Sequence, residues 1–213
     1  MQVVFRKSVL LRDLTYLRME NKSFVDEIYL KVLKRLFDFS LSSAGAIIFS
    51  PLFLIIIIFI KLDSQGPVIF KQERIGSGGS KFIIFKFRSM QVEAGKYMKK
   101  PGKSFAQITR IGKILRQRGL DELPQIFNVL RGEMSLVGPR PELPFIAEGY
   151  SVSQKQRLSV KPGITGLWQI SGKTDEPIHH NLEYDLDYLK NISFSLDIKI
   201  LFKTFIFLLK GGS

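Results

Sequence analysis

Leu41–Ile60 reads LSSAGAIIFSPLFLIIIIFI, twenty residues without a charge in a chain whose formal net charge is +13. A bilayer core is matched by ~20 apolar residues in one helix, so by length alone this is a spanning segment. About forty mostly polar residues precede it, which excludes a signal peptide. Ser50-Pro51 lies at its midpoint. Proline has no amide hydrogen and crowds the carbonyl one turn back, so the helix kinks there. Each half, at ~1.5 Å per residue, is about 15 Å long, roughly half the hydrocarbon thickness. Both flanks are basic, with Lys31, Lys34 and Arg35 before the run and Lys61 and Lys71 after it. The bias of Lys and Arg towards the cytoplasmic side then favours both ends on one face. Two topologies fit: a re-entrant hairpin, or a kinked spanning helix.

The charge arises from 32 Lys and Arg against 19 Asp and Glu. Such an excess points to an anionic partner: nucleic acid, phosphorylated ligands or an anionic membrane surface. The absence of Cys excludes disulfides and thiolate metal sites and fits a reducing compartment. With only two histidines, adjacent at 179 and 180, a His-rich metal site is excluded as well.

Elsewhere the pattern is mixed. Residues 1–33 form an N-terminal lead, expected as a surface helix with Phe24, Ile28 and Val32 on one face. PVIFKQ (67–72) and KFIIFKFR (81–88) read as strands, and the RIGSGGS between them makes a β-hairpin. Residues 95–107 read as a Lys- and Gly-rich loop. A short helix begins at Asp121 or Glu122, with Leu123, Ile126, Phe127 and Leu130 at helical spacing and Gly132 as its stop. Ile198–Lys210 is apolar with interspersed lysines and too short to span; it suits the membrane interface, with a core helix as the alternative.

The chemistry concentrates around RGLDELPQIF (118–127). Asp121 and Glu122 at a helix start complement the dipole, and a cap is the plain structural reading. Cations in constrained positions surround them in sequence. Lys86 and Arg88 stand two apart on a strand, so parity puts them on one face. Arg116 and Arg118 precede the pair. Arg140, in VGPRPELP, sits between Pro139 and Pro141, each fixing backbone, so its fork is held for a phosphate oxygen. A salt bridge to Glu142 or Glu148 is the alternative for Arg140. VKPGITGLWQISGK (160–173) is a second stiff stretch, ending on Lys173; its Trp168 suits a base stack, the interface or the core. Two carboxylates among fixed cations suit phosphoryl transfer. One carboxylate attacks phosphorus, its neighbour binds Mg²⁺, and the cations offset developing charge.

KRLFDFSLSSAG, the Ser50-Pro51 break, FKQERIG, FKFRSM, LDELPQIFNVLRGEMSLVGPRPELP and PGITGLWQISGK resemble the bacterial sugar transferases, the small monotopic phosphoglycosyl transferases. The likeness runs from about Lys34 to the C-terminus. It implies an α+β, mainly helical fold: a monotopic membrane protein with a re-entrant Ser-Pro-broken helix, interfacial amphipathic helices and a small β-hairpin. It implies transfer of a phospho-sugar from a UDP-sugar to a polyprenol phosphate such as undecaprenyl phosphate, with release of UMP. Asp121 is then the nucleophile and Glu122 a Mg²⁺ ligand. Lys86 and Arg140 match the family's KFR lysine and VGPRP arginine. Asp197, in the late SFxxD pattern, is a further candidate metal ligand. Arg88, Arg116 and Lys173 complete the expected phosphate-binding set. Where the family has Asn-Gly-Arg, this chain has Ser171-Gly172-Lys173, keeping the charge but losing the bidentate fork. Gly119 stands where Ser or Thr is common. The chain resembles the minimal catalytic form of the family.

The expected division is a lead (1–33), a re-entrant helix (34–61) and a cytoplasmic catalytic domain ending in an interfacial helix (62–213), at the bacterial inner membrane. The expected partners are UDP-sugar, polyprenol phosphate and phospholipid, with no nucleic acid; a homo-oligomer is compatible with all of this. Two other readings stand beside it. Asp185-Leu186-Asp187 spells the DxD of a glycosyltransferase releasing UDP, and the charge suits a membrane-tethered anion-binding protein without activity.

Overall fold

The computed structural model describes residues 29–91, 108–172 and 178–209. Most of the expected lead helix, the 95–107 loop and Lys173 lie outside the described residues. Tyr29–Leu33 is a π-helical turn that runs into α1 (Lys34–Ile48). Then come α2 (Ser50–Asp63), β1 (Ile69–Ile75), β2 (Lys81–Phe87), α3 (Arg110–Gln117) and a 3₁₀ turn over Leu120–Gln125 leading into α4 (Ile126–Arg131). After β3 (Ser135–Val137) follow α5 (Pro144–Glu148), α6 (Val152–Lys155), β4 (Gly163–Thr165), α7 (Glu183–Asn191) and α8 (Phe194–Leu209). The fold is mainly helical with little sheet, as expected for α+β.

The uncharged run is broken where its proline sits: α1 and α2 meet at 60° across Phe49. Pro51 falls in the first turn of α2, where a missing amide is tolerated. The carbonyl that its amide would have bonded, four residues back, belongs to Ile47. Ser50 Oγ donates to that carbonyl at 2.8 Å, so serine replaces the donor that proline lacks. The two helices have 15 and 14 residues, longer than the ten-residue halves expected, because α1 begins at Lys34 inside the basic flank. No single described helix is long and apolar enough to cross a membrane; only the bent pair together reaches that length and apolarity. Much of the pair faces outward, with Ile47, Ile48, Leu54 and Leu62 all at least 63% exposed.

The front of α1 is polar and grips the rest of the chain. Lys34 Nζ donates to the Val137 carbonyl at 3.1 Å, and Asp38 accepts from the Leu136 amide at 3.0 Å. Arg35 caps the end of α4 through the Val129 and Leu130 carbonyls, at 2.6 and 2.9 Å.

The hairpin is antiparallel, pairing Ile69 with Phe87 through to Ile75 with Lys81. One face of β2 is buried at Phe82 and Ile84, the other only at its Phe87 end, leaving Ile83 and Lys81 exposed. Phe82 and Ile84 enter the main core with Val129, Met134, Leu136 and Tyr188. Phe87, of opposite parity, packs with Ile56, Ile60 and Leu115 from α2 and α3. Asn128 of α4 docks on the hairpin's open edge, accepting from the Phe85 amide at 3.0 Å and donating to the Ile83 carbonyl at 2.7 Å. A second sheet escaped the sequence reading: β3 and β4 pair in parallel over three residues each. Residues that short give no periodicity to read. They approach so closely that a Cβ on Gly163 would lie 2.1 Å from the Gly138 amide nitrogen.

α4 stops at Gly132, in the left-handed region at φ 83°, as expected. Of its expected apolar face, Ile126 is buried and Leu123 and Leu130 are partly buried, but Phe127 is exposed, and Asn128 and Val129 are buried beside them. α8 buries Ile200 and exposes Phe202, Phe205 and Leu209. Its last turn leans over the acid turn, where a Cβ on Gly119 would come within 2.9 Å of Leu208 Cδ2.

Candidate active site

The acid pair opens the 3₁₀ turn behind Gly119, whose φ of 62° is the left-handed bend that redirects the chain out of α3. The two carboxylates have different surroundings. Glu122 Oε1 accepts from Lys86 Nζ at 2.5 Å and from Arg140 Nη2 at 3.0 Å. Asp121 accepts no hydrogen bond among the described residues, while Lys86, Arg116 and Arg140 act on it through charge. Burial alone would raise the Glu122 carboxyl, but Arg140 and Lys86 outweigh it and hold the group well below the usual carboxylate range. Asp121 moves the other way, raised by burial and then by the neighbouring Glu122 charge. One acid is clamped and ionised. The other is unencumbered and destabilised in its charged form.

Lys86 reaches the site because β2 parity sets it beside Ile84, and because Asn128 fixes the strand one residue earlier. The Arg140 loop is pinned at each residue. The Gly138 amide bonds the Thr165 carbonyl at 2.9 Å, and the Pro139 carbonyl takes the Gly163 amide at 2.9 Å. Arg140's own carbonyl takes Arg157 Nη2 at 2.6 Å, and that of Pro141 takes Arg74 Nη1 at 3.1 Å. The two prolines supply part of the stiffness, and β4 and two buried arginines supply the rest. Arg140's guanidinium lies 5.7 Å from the ring of Trp168, a buried core residue. Its ion-pair partner in the site is Glu122, not Glu142 or Glu148.

Two expected site residues are elsewhere. Arg88 is buried and turned onto the end of α2, donating to the carbonyls of Gln65 at 2.8 Å and Ser64 at 2.7 Å and to Ser64 Oγ at 2.9 Å. Parity fails because β2 ends at Phe87, before Arg88. Asp197 is fully buried and held by Lys34 Nζ at 2.5 Å, Tyr29 OH at 2.5 Å and Tyr188 OH at 2.8 Å. It shares no contact with Glu122, and no group of three or more His, Asp or Glu able to hold a metal occurs among the described residues. The DxD reading fails too. Asp185 is buried in an ion pair with Arg157, while Asp187 is exposed, two positions on in helix α7.

Three contributors were missed by sequence reasoning. Arg74 lines the same pocket as Ile84, Lys86, Glu122, Gln125 and Arg140. Its signal was present: in the hairpin register Arg74 faces Phe82 and Gln72 faces Ile84, the parity that carries Lys86. Arg157 and Asn128 act through backbone contacts 17 and 43 residues away, which no local pattern encodes.

A family model described as bacterial sugar transferase matches residues 29–211, so it spans both the bent helices and this site. The chain belongs to the bacterial sugar transferase family. Among its sugar transferase relatives is a UDP-glucose:undecaprenyl-phosphate glucose-1-phosphate transferase of Klebsiella pneumoniae, 45% identical over 81% of this chain and 39% of that protein. The exopolysaccharide production protein ExoY of Rhizobium meliloti is 36% identical over 80% of this chain and 83% of its own length. A UDP-N-acetylgalactosamine-undecaprenyl-phosphate N-acetylgalactosaminephosphotransferase of Aeromonas hydrophila is 40% identical over 84% of this chain and 44% of that protein. The chain thus spans about two fifths of the glucose-1-phosphate transferases it matches.

Proposed function

We propose that this sugar transferase moves a phospho-sugar from a UDP-sugar to a polyprenol phosphate and releases UMP. The observation that carries the reading is the asymmetry of the acid pair. Glu122 is fastened by Lys86 and Arg140, and Asp121 beside it is left with a carboxylate able to attack. A carboxylate destabilised as an anion loses that charge on forming an acyl phosphate.

In the first half-reaction an Asp121 oxygen bonds to the sugar-bearing phosphorus, and the bond from that phosphorus to the bridging oxygen breaks. UMP departs with the electron pair, leaving an aspartyl phospho-sugar. In the second, a phosphate oxygen of the acceptor attacks the same phosphorus and Asp121 is released as carboxylate. Arg140 and Lys86 keep donors aimed at the same space and offset charge on the leaving phosphate.

The donor set also suits Mg²⁺, which commonly takes one or two carboxylates and completes its shell with substrate phosphates and water. Glu122 would hold it through Oε2, the oxygen that neither cation bonds. The ion would supply further neutralisation of the diphosphate.

The exposed apolar surfaces of α1, α2 and α8 support a monotopic placement in the bacterial inner membrane, with the 60° bend returning the chain to the cytoplasmic face. There the site meets a lipid-borne phosphate at headgroup level. The test is a UMP-release screen of UDP-sugars with polyprenol phosphate and Mg²⁺, on wild type and Asp121→Asn. Wild type should release UMP and carry a phosphohexose on the peptide containing Asp121. Release of UDP, or turnover by Asp121→Asn, overturns the reading.

A further inference from the structure

We propose that Arg74 is a third ligand for a substrate phosphate, beside Lys86 and Arg140. The inference rests on the phosphoryl transfer read above and adds a residue to its site.

Arg74 is held but not satisfied. Nη1 donates to the Pro141 carbonyl at 3.1 Å and Nη2 to Gln72 Oε1 at 2.7 Å. Nε is buried and has no partner among the described residues. The nearest carboxylate oxygen, Glu142 Oε1, is 3.9 Å away, at the limit of an ion pair, and the side chain is only 16% exposed. Glu122, the one acid in the pocket, bonds Lys86 and Arg140 but not Arg74. Burial and the like charge of Arg140 push the Arg74 guanidinium down to about 10. A partly dehydrated cation with an unused donor, set against a second cation, is costly unless an anion bridges the two. A phosphate group fits that role, since several oxygens can meet two forks at once.

Two substrates carry that chemistry: the donor's diphosphate and the acceptor's lipid phosphate. The two half-reactions separate them. Wild type, Arg74→Gln, Arg74→Lys, Arg140→Gln and the Arg74→Gln/Arg140→Gln double variant are compared in lipid nanodiscs. Three quantities are read: affinity for UDP, the rate of adduct formation from UDP-sugar alone, and the rate of adduct discharge by polyprenol phosphate. Loss of one charged hydrogen-bonding partner should cost about ten- to hundredfold. A loss in UDP affinity and adduct formation assigns Arg74 to the donor. A loss confined to discharge assigns it to the acceptor. In either case Arg74→Lys, which keeps the charge, should recover part of the loss, and it replaces Arg74→Gln as the test if that variant does not fold.

A role limited to holding the Pro141 carbonyl, and so Arg140, predicts differently: the Arg74→Gln penalty should vanish once Arg140 is already Gln. That result, or changes within about twofold in all three quantities, overturns the proposal. Absence of any adduct in wild type sinks the transfer reading itself. A wild-type adduct with an unaffected Arg74→Gln sinks only this inference.

Discussion

Arg157 reaches the backbone carbonyl of Arg140 at 2.6 Å, although the two residues are 17 apart and Arg157 contributes nothing to the pocket around the acid pair. The same guanidinium bonds Asp185 through Nε at 2.8 Å and the Tyr150 hydroxyl at 2.5 Å. One buried fork thus joins the Arg140 loop to α7 and to the segment after α5. A lysine presents no such fork. Arg157→Lys is expected to lower donor kcat/KM about tenfold by loosening Arg140, with Asp121 itself untouched. Steady-state kinetics decide it: unchanged donor kinetics in a folded Arg157→Lys enzyme would detach this pair from the site.

The acid pair has opposite effects on stability. Asp121's folded pKa is raised, so its contribution is present below about pH 4, its unfolded value, and is lost as pH climbs through the folded value. At neutral pH the ionised group is a net cost. Glu122's folded pKa is depressed, so its contribution is present above about pH 4.3 and is lost as pH falls through the folded value. Melting at pH 7.5 with chelator present should therefore rise for Asp121→Asn and fall for Glu122→Gln. Both variants shifting the same way would contradict the asymmetry.

Arg88 caps α2 from inside the protein. Arg88→Met leaves the Ser64 and Gln65 carbonyls without that donor, at a cost of about 3 kcal/mol. The donor KM of the surviving folded enzyme should match wild type, because the guanidinium points away from the pocket. Denaturant unfolding gives the first quantity and initial rates the second; a raised KM at unchanged stability would return Arg88 to the phosphate site.

Asp197 gives the sharpest contrast with a metal ligand. Replacing it by Asn breaks a buried charge pair with Lys34 and leaves one amide oxygen where two tyrosine hydroxyls donated. Of these, only Tyr188 keeps another acceptor among the described residues, the Val137 carbonyl, so Asp197→Asn should cost roughly 3–5 kcal/mol. The Mg²⁺ concentration giving half-maximal activity should not change. A several-fold rise in that concentration would show that Asp197 does contact the ion.

Most of what the sequence disclosed came from groups whose surroundings are local. The Ser50-Pro51 break, the hairpin, the Gly132 stop and the Asp121-Glu122 turn each follow from neighbours in the chain. The family likeness marked Lys86 and Arg140 as phosphate ligands; what the structure shows of them is their shared ion pairing with Glu122. What stayed hidden was long-range. Arg88 was misplaced because strand parity was extended past the strand's end. Asp197 was misplaced because a motif position says nothing of its partners, here Tyr29 and Lys34 from more than 160 residues earlier. Lys34 and Arg35 read as free flanking charges, yet both bond backbone beside the site, since a basic residue looks the same in sequence whether solvated or paired.

The Leu208 methyl under Gly119 has a consequence for where the reaction takes place. α8, whose Phe202 and Phe205 face outward, sets Leu208 against Gly119 in the turn that carries Asp121. Any bilayer that takes up those rings would meet the Asp121 turn at a height set by that contact rather than by the thickness of the lipid leaflet. A lipid-borne acceptor would therefore have to bring its headgroup to that height.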